Sequence, residues 1–94
     1  MEERQMIVRL LGAQMTTYET LHAHLKERLG FPDYYGENLN ALWDCIRADV
    51  ETPLTIQWLD FAISQRALGE EADRTLALLR EAQEEIPGLT IEVK

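Results

Sequence analysis

Three short apolar runs, set far apart, constrain this chain more than any other feature. Met6, Ile7, Val8, Arg9, Leu10 and Leu11 form a nearly continuous apolar run, which suits a strand covered on both faces. Leu54, Ile56 and Trp58 alternate with Thr55 and Gln57, and Leu89, Ile91 and Val93 alternate with Thr90 and Glu92. That period of two is the signature of strands. The stretches between the runs carry helical patterns. Long helical connections favour parallel pairing through right-handed crossovers. The expected order is β-α-α-β-α-α-β, an α/β fold with a three-stranded parallel sheet packed with four helices.

The helical stretches have their own punctuation. Thr16 and Glu19 have capping-box spacing, and a helix through about Leu29 would end at Gly30. Phe31, Pro32 and Asp33 form a turn or loop, because proline biases its predecessor away from helix. A second helix starts near Asn38, with Leu39, Leu42, Trp43, Ile46 and Val50 on one stripe; Pro53 closes that segment. Asp60 could cap a short third helix ended by Gly69. A fourth runs from about Glu70 to Glu85, burying Ala72, Leu76, Leu79 and Ile86, and Pro87-Gly88 breaks it. No repeat, linker or low-complexity tract interrupts the chain, so residues 1–94 read as one domain.

Charge then narrows the function. The 94 residues carry a formal net charge of −8, which disfavours direct contact with nucleic acid or an anionic membrane. Segment 33–51 sets five acids against one base, Arg47, and segment 70–85 sets six against two, a net of −4 each. The remainder balances six acids with six bases. If the two segments lie side by side, they make one negative face. The apolar fraction of 46% fits a globular chain, and one cysteine, Cys45, makes no intramolecular disulfide. With no secretory signal pattern and no stretch of roughly 20 apolar residues, a cytoplasmic protein is the expectation.

Catalytic chemistry has weak support. His22 and His24, two apart on the first helix, point to different sides, whereas helical metal ligands are typically four apart. They read as surface or half-buried histidines. Cys45 reads as a structural thiol, with no histidine near in sequence to activate it. No glycine-rich phosphate loop or nucleophile elbow is present, so neither an enzyme, a metal site nor a cofactor is expected. Tyr34, Tyr35 and Trp43 surround the acidic loop and helix, an arrangement used by interface hot spots. Gly36 permits a tight backbone there. On residue chemistry alone, an acidic interaction module and a merely solvated acidic face both stay open.

The run from Pro32 to Cys45 (Pro-Asp-Tyr-Tyr-Gly-Glu-Asn-Leu-Asn-Ala-Leu-Trp-Asp-Cys) resembles the barstar family of intracellular ribonuclease inhibitors. The likeness continues through Pro53-Leu54, Trp58, Phe61, Arg80-Glu81-Ala82 and Thr90-Ile91. It implies a barstar-like fold and inhibition of a microbial, barnase-like, guanyl-specific ribonuclease. The partner would be a basic, extracellular-type enzyme bound one to one, its active site plugged by a loop and the second helix. The implied binding residues are Tyr34, Tyr35, Gly36, Asn38, Leu39, Asn40, Trp43, Asp44, Arg47, Asp49, Glu81 and Glu85. Asp44 matches the family's central aspartate, which occupies a substrate phosphate site. Tyr34 matches the tyrosine that packs on the catalytic histidine, and Glu81 the last-helix glutamate that pairs with enzyme bases. Gly36 and Asn38 match loop contacts, and Glu85 a peripheral acid. The family also implies a cis peptide before Pro53. Three positions depart from its pattern. Asn40 stands for a second key aspartate, Arg47 for a small polar residue, and Asp49 for a rim tryptophan. These departures keep a second reading open, in which the scaffold binds and regulates a different basic protein.

Overall fold

The computed structural model of the chain describes residues 6–94. Its elements are β1 (Met6–Leu11), a 3-10 turn (Gly12–Gln14), α1 (Tyr18–Leu29), α2 (Leu39–Asp49), β2 (Leu54–Leu59), α3 (Phe61–Leu68), α4 (Glu70–Glu85) and β3 (Leu89–Val93). The strands form one parallel sheet in the order β1-β2-β3, so the expected architecture holds. Thr52–Pro53, entering β2, is cis.

Register explains the core. Val8, Ile56 and Ile91 lie in one row across the sheet, and Leu10, Trp58 and Val93 in the next. Leu10, Ile56 and Trp58 are fully buried against Leu21 and Leu25 of α1, Leu42 and Ile46 of α2, and Leu79 of α4, in a common core. Each such aliphatic side chain contributes about 1.5–3 kcal/mol by leaving water. α1 packs on β1, and α4 packs on both β3 and α2.

β1 departs from the expectation of cover on both faces. Ile7 is 47% exposed and Arg9 is exposed. The physical reason is position. β1 is an edge strand, and the row containing Ile7, Thr55 and Thr90 lies on the face opposite the core. In the adjacent row on that face, Gln57 Nε2 donates to Glu92 Oε1 (2.9 Å) beside Arg9.

Three local details also differ. The cap of α1 is one residue later than Thr16: Thr17 Oγ1 accepts from Thr20 N–H (3.1 Å), and Thr20 Oγ1 accepts from Thr17 N–H (3.0 Å). A threonine hydroxyl thus does what Glu19 was expected to do. Asp60 precedes α3, but its side chain makes no cap bond, because its backbone is left-handed (φ 52°). In α4 the fully covered residues are Ala72, Thr75, Leu79 and Ala82, while Leu76 is only half-buried. Thr75 tolerates burial because its hydroxyl donates to the Glu71 carbonyl (2.8 Å).

Candidate functional site

The loop between α1 and α2 is fixed from both ends. At its start, Gly30 adopts a left-handed conformation (φ 69°) that ends α1, and Lys26 pairs with Asp33 at 3.3 Å. At its end, Asn38 caps α2: its Oδ1 accepts from Ala41 N–H (2.8 Å), and its Nδ2 donates to the Gly36 carbonyl (3.2 Å). One asparagine therefore starts the helix and folds the loop onto it. A Cβ on Gly36 would come within 3.3 Å of Ala41 Cβ, so the close approach at this glycine is real.

α1 holds the middle of the loop. Tyr35 is 5% exposed, turned into the core against Phe31, and its phenol oxygen lies 2.6 Å from His22 Nδ1. Burial pushes the Tyr35 phenol well above its ordinary range. Tyr18 O–H donates to the Glu37 carbonyl (2.8 Å). Glu37 has φ 53°, a left-handed backbone that disfavours a non-glycine residue by about 1–2 kcal/mol. Tyr18, His22 and Tyr35 also form a continuous set of ring contacts.

The histidines depart from the surface or half-buried expectation: His22 is fully buried and His24 is 7% exposed. Two positions apart, they still find cover because α1 lies between the loop and β1. His24 Nε2 accepts from Leu11 N–H (3.0 Å), terminating the edge of β1. Desolvation lowers the pKa of both. For His22, Glu71 and Glu37 oppose that shift; for His24, Arg28 adds to it and Glu27 opposes it.

The outward surface holds most of the expected binding residues. Tyr34 is 73% exposed, and Asp44 is exposed on α2 with no hydrogen bond or ion pair among the described residues. Asp49 ends α2, and both its carboxylate oxygens receive the Tyr34 O–H, at 3.1 and 3.3 Å. Arg47 stacks over the Trp43 ring, its guanidinium 5.6 Å from the centroid. Because α2 packs on α4, Leu39, Asn40 and Trp43 share a groove of about 470 Å³ with Arg74, Ala77, Leu78 and Glu81. The two acidic segments are thus adjacent. Glu85 is exposed further along α4 and is not part of the groove.

Cys45 is buried beside Asp49, and burial, then that carboxylate, pushes its thiol pKa up. It is unsuited to act as a nucleophile. Among the described residues no cluster of histidine, cysteine and acidic side chains could hold a metal, and no helix is long and apolar enough to cross a membrane. Tyr18 and His22 are the loop-holding residues that sequence reasoning missed. No local pattern marks them, since each acts through a partner 13 to 19 positions away.

Set beside known proteins, residues 5–94 match the family described as "Barstar (barnase inhibitor)". The chain is 48% identical over 75 residues to a Bacillus subtilis (strain 168) protein named "Putative ribonuclease inhibitor YrdF", a match covering 80% of this chain and 82% of that protein.

Proposed function

The chain belongs to the barstar family, and from that premise we propose that it inhibits a guanyl-specific, barnase-like ribonuclease by occluding its active site. The observation that carries this reading is the exposed Asp44 on α2, unpaired among the described residues, with Tyr34 on the neighbouring loop and Glu81 on the adjoining helix. A ribonuclease cleft gathers cations to bind phosphates. A carboxylate held on a rigid helix can occupy a phosphate position and accept charge-assisted hydrogen bonds there. Tyr34 offers an aromatic ring for stacking, and Gly36 and Asn38 keep the loop narrow. Asn40 can still hydrogen-bond but supplies no charge, so the fitting cleft presents fewer cations at that point. The chain itself performs no turnover in this mechanism.

The test is an inhibition titration with purified barnase as the first probe. RNA cleavage should cease near one equivalent. Asp44→Ala should raise the dissociation constant at least about a hundredfold, because enzyme cations desolvated on binding would lose their counter-charge. Equal affinity for wild type and variant would overturn the role given to Asp44.

Asn40 and Arg47 support a second reading, a module that regulates a different basic protein. Affinity capture from the producing organism at low salt separates the two. A recovered ribonuclease favours the first, and a non-ribonuclease partner with no ribonuclease bound favours the second.

A further inference from the structure

Asp49 occupies an awkward place for a carboxylate. It is the last residue of α2, where unpaired carbonyls give the helix end a partial negative charge that disfavours an acid. It makes no ion pair among the described residues, even though Arg47 lies two positions away; that guanidinium is over Trp43 instead. What the carboxylate does contact is the Tyr34 hydroxyl, through both oxygens. Tyr34 meanwhile is the most exposed large aromatic or aliphatic side chain among the described residues, at 73%. A ring so exposed would ordinarily sample several rotamers and would have to be ordered on binding.

We propose that Asp49 is a positioning residue of the inhibitory surface, whose carboxylate holds the exposed Tyr34 ring in a single pose before the ribonuclease arrives. Its main duty is therefore geometric, and its charge is secondary. The helix-end position supplies the required rigidity: α2 is packed on the core through Leu42, Cys45 and Ile46, so the acceptor cannot follow a wandering ring. The identity of the partner rests on the ribonuclease-inhibitor reading; the Tyr34–Asp49 contact does not.

The two duties separate experimentally. Asp49→Asn keeps an acceptor oxygen and removes the charge, whereas Asp49→Ala removes both. Stopped-flow association and dissociation with barnase would be measured for wild type, both variants, Tyr34→Phe, and Tyr34→Phe combined with Asp49→Ala. Positioning predicts that Asp49→Ala speeds dissociation about fivefold, the scale of one net hydrogen bond, while Asp49→Asn leaves dissociation near wild type. In the Tyr34→Phe background, Asp49→Ala should then change dissociation no further. Equal effects of the two Asp49 variants, confined to association and erased by salt, would instead make Asp49 a steering charge and overturn the proposal. In parallel, NMR couplings would report the Tyr34 χ1 distribution in the free protein. One rotamer is expected in wild type and Asp49→Asn, with averaging in Asp49→Ala; averaging already in wild type would overturn it. If wild type failed to inhibit barnase, the barnase-like assignment would fail on its own, and the rotamer measurement would still decide whether Asp49 holds Tyr34.

Discussion

At the residue scale, the two histidines of α1 make stability depend on pH. His22 bonds Tyr35 through Nδ1, and its Nε2 is buried with no hydrogen-bond partner among the described residues. His24 uses Nε2 as an acceptor for Leu11 N–H, which requires a neutral ring nitrogen. Desolvation holds both below the ordinary value of 6.5. In the unfolded chain each would take up a proton near that value, while the folded chain resists. Their contribution is therefore complete above pH 6.5 and is lost as pH falls from there through the folded values. Urea unfolding at pH 7.5 and pH 5 should show the drop, and His24→Gln should make it shallower. An unchanged slope in that variant would remove His24 from the explanation. Nothing in the sequence around position 22 or 24 marks these bonds. A lone histidine on a helix carries the same local pattern whether it meets solvent, a phenol or a strand edge, and only the packing of α1 between loop and sheet decides. Asn38 is the opposite case. The helix start near it was legible, and the cap that fixes that start is local, with partners two and three residues away.

At the element scale, α3 depends on a buried polar chain. Trp58 Nε1–H donates to Ser64 Oγ (3.2 Å), and the Ser64 hydroxyl donates to the Gly12 carbonyl (2.9 Å). One serine thus joins α3 to the central strand and to the turn after β1. Gly12 admits this closeness: a Cβ there would collide with the Leu59 and Asp60 carbonyls. Ser64→Ala would leave the buried indole N–H and the Gly12 carbonyl without this partner, destabilising the fold by about 1–3 kcal/mol. A lowered urea midpoint with an unchanged m-value would confirm it; an unchanged midpoint would refute it. The elements themselves were readable, since α2 and α4 repeat apolar residues at helical spacing between Asn38 and Pro53 and between Gly69 and Pro87. The cover over β1 was not. An apolar run such as Met6–Leu11 looks the same in a central strand and in an edge strand, and strand order is a tertiary property.

At the scale of the whole molecule, the net charge of −8 matters through its placement. The molecule is 43 Å along its longest axis, and at 0.1 M salt the screening length is only about 10 Å. Distant charges therefore do not sum. What a basic partner senses on approach is the local pair of acidic segments, which the packing of α2 on α4 brings together. Their adjacency could be posed from sequence only as a condition, because charge runs separated by residues 52–69 say nothing of their separation in space. With that condition met, the opposite sheet face, where Arg9 lies beside Gln57 and Glu92, exerts no comparable pull. Association with a basic ribonuclease should thus be steered to one side of the protein. Its rate constant should fall about tenfold or more between 0.01 M and 0.5 M salt, with dissociation changing much less. Charge reversal on the acidic side, as in Glu85→Lys, should flatten that dependence; Glu85 is exposed and outside the groove, so its reversal alters the field without removing a contact there. A salt-independent association rate for the wild type would mean that the paired acidic segments serve solubility alone.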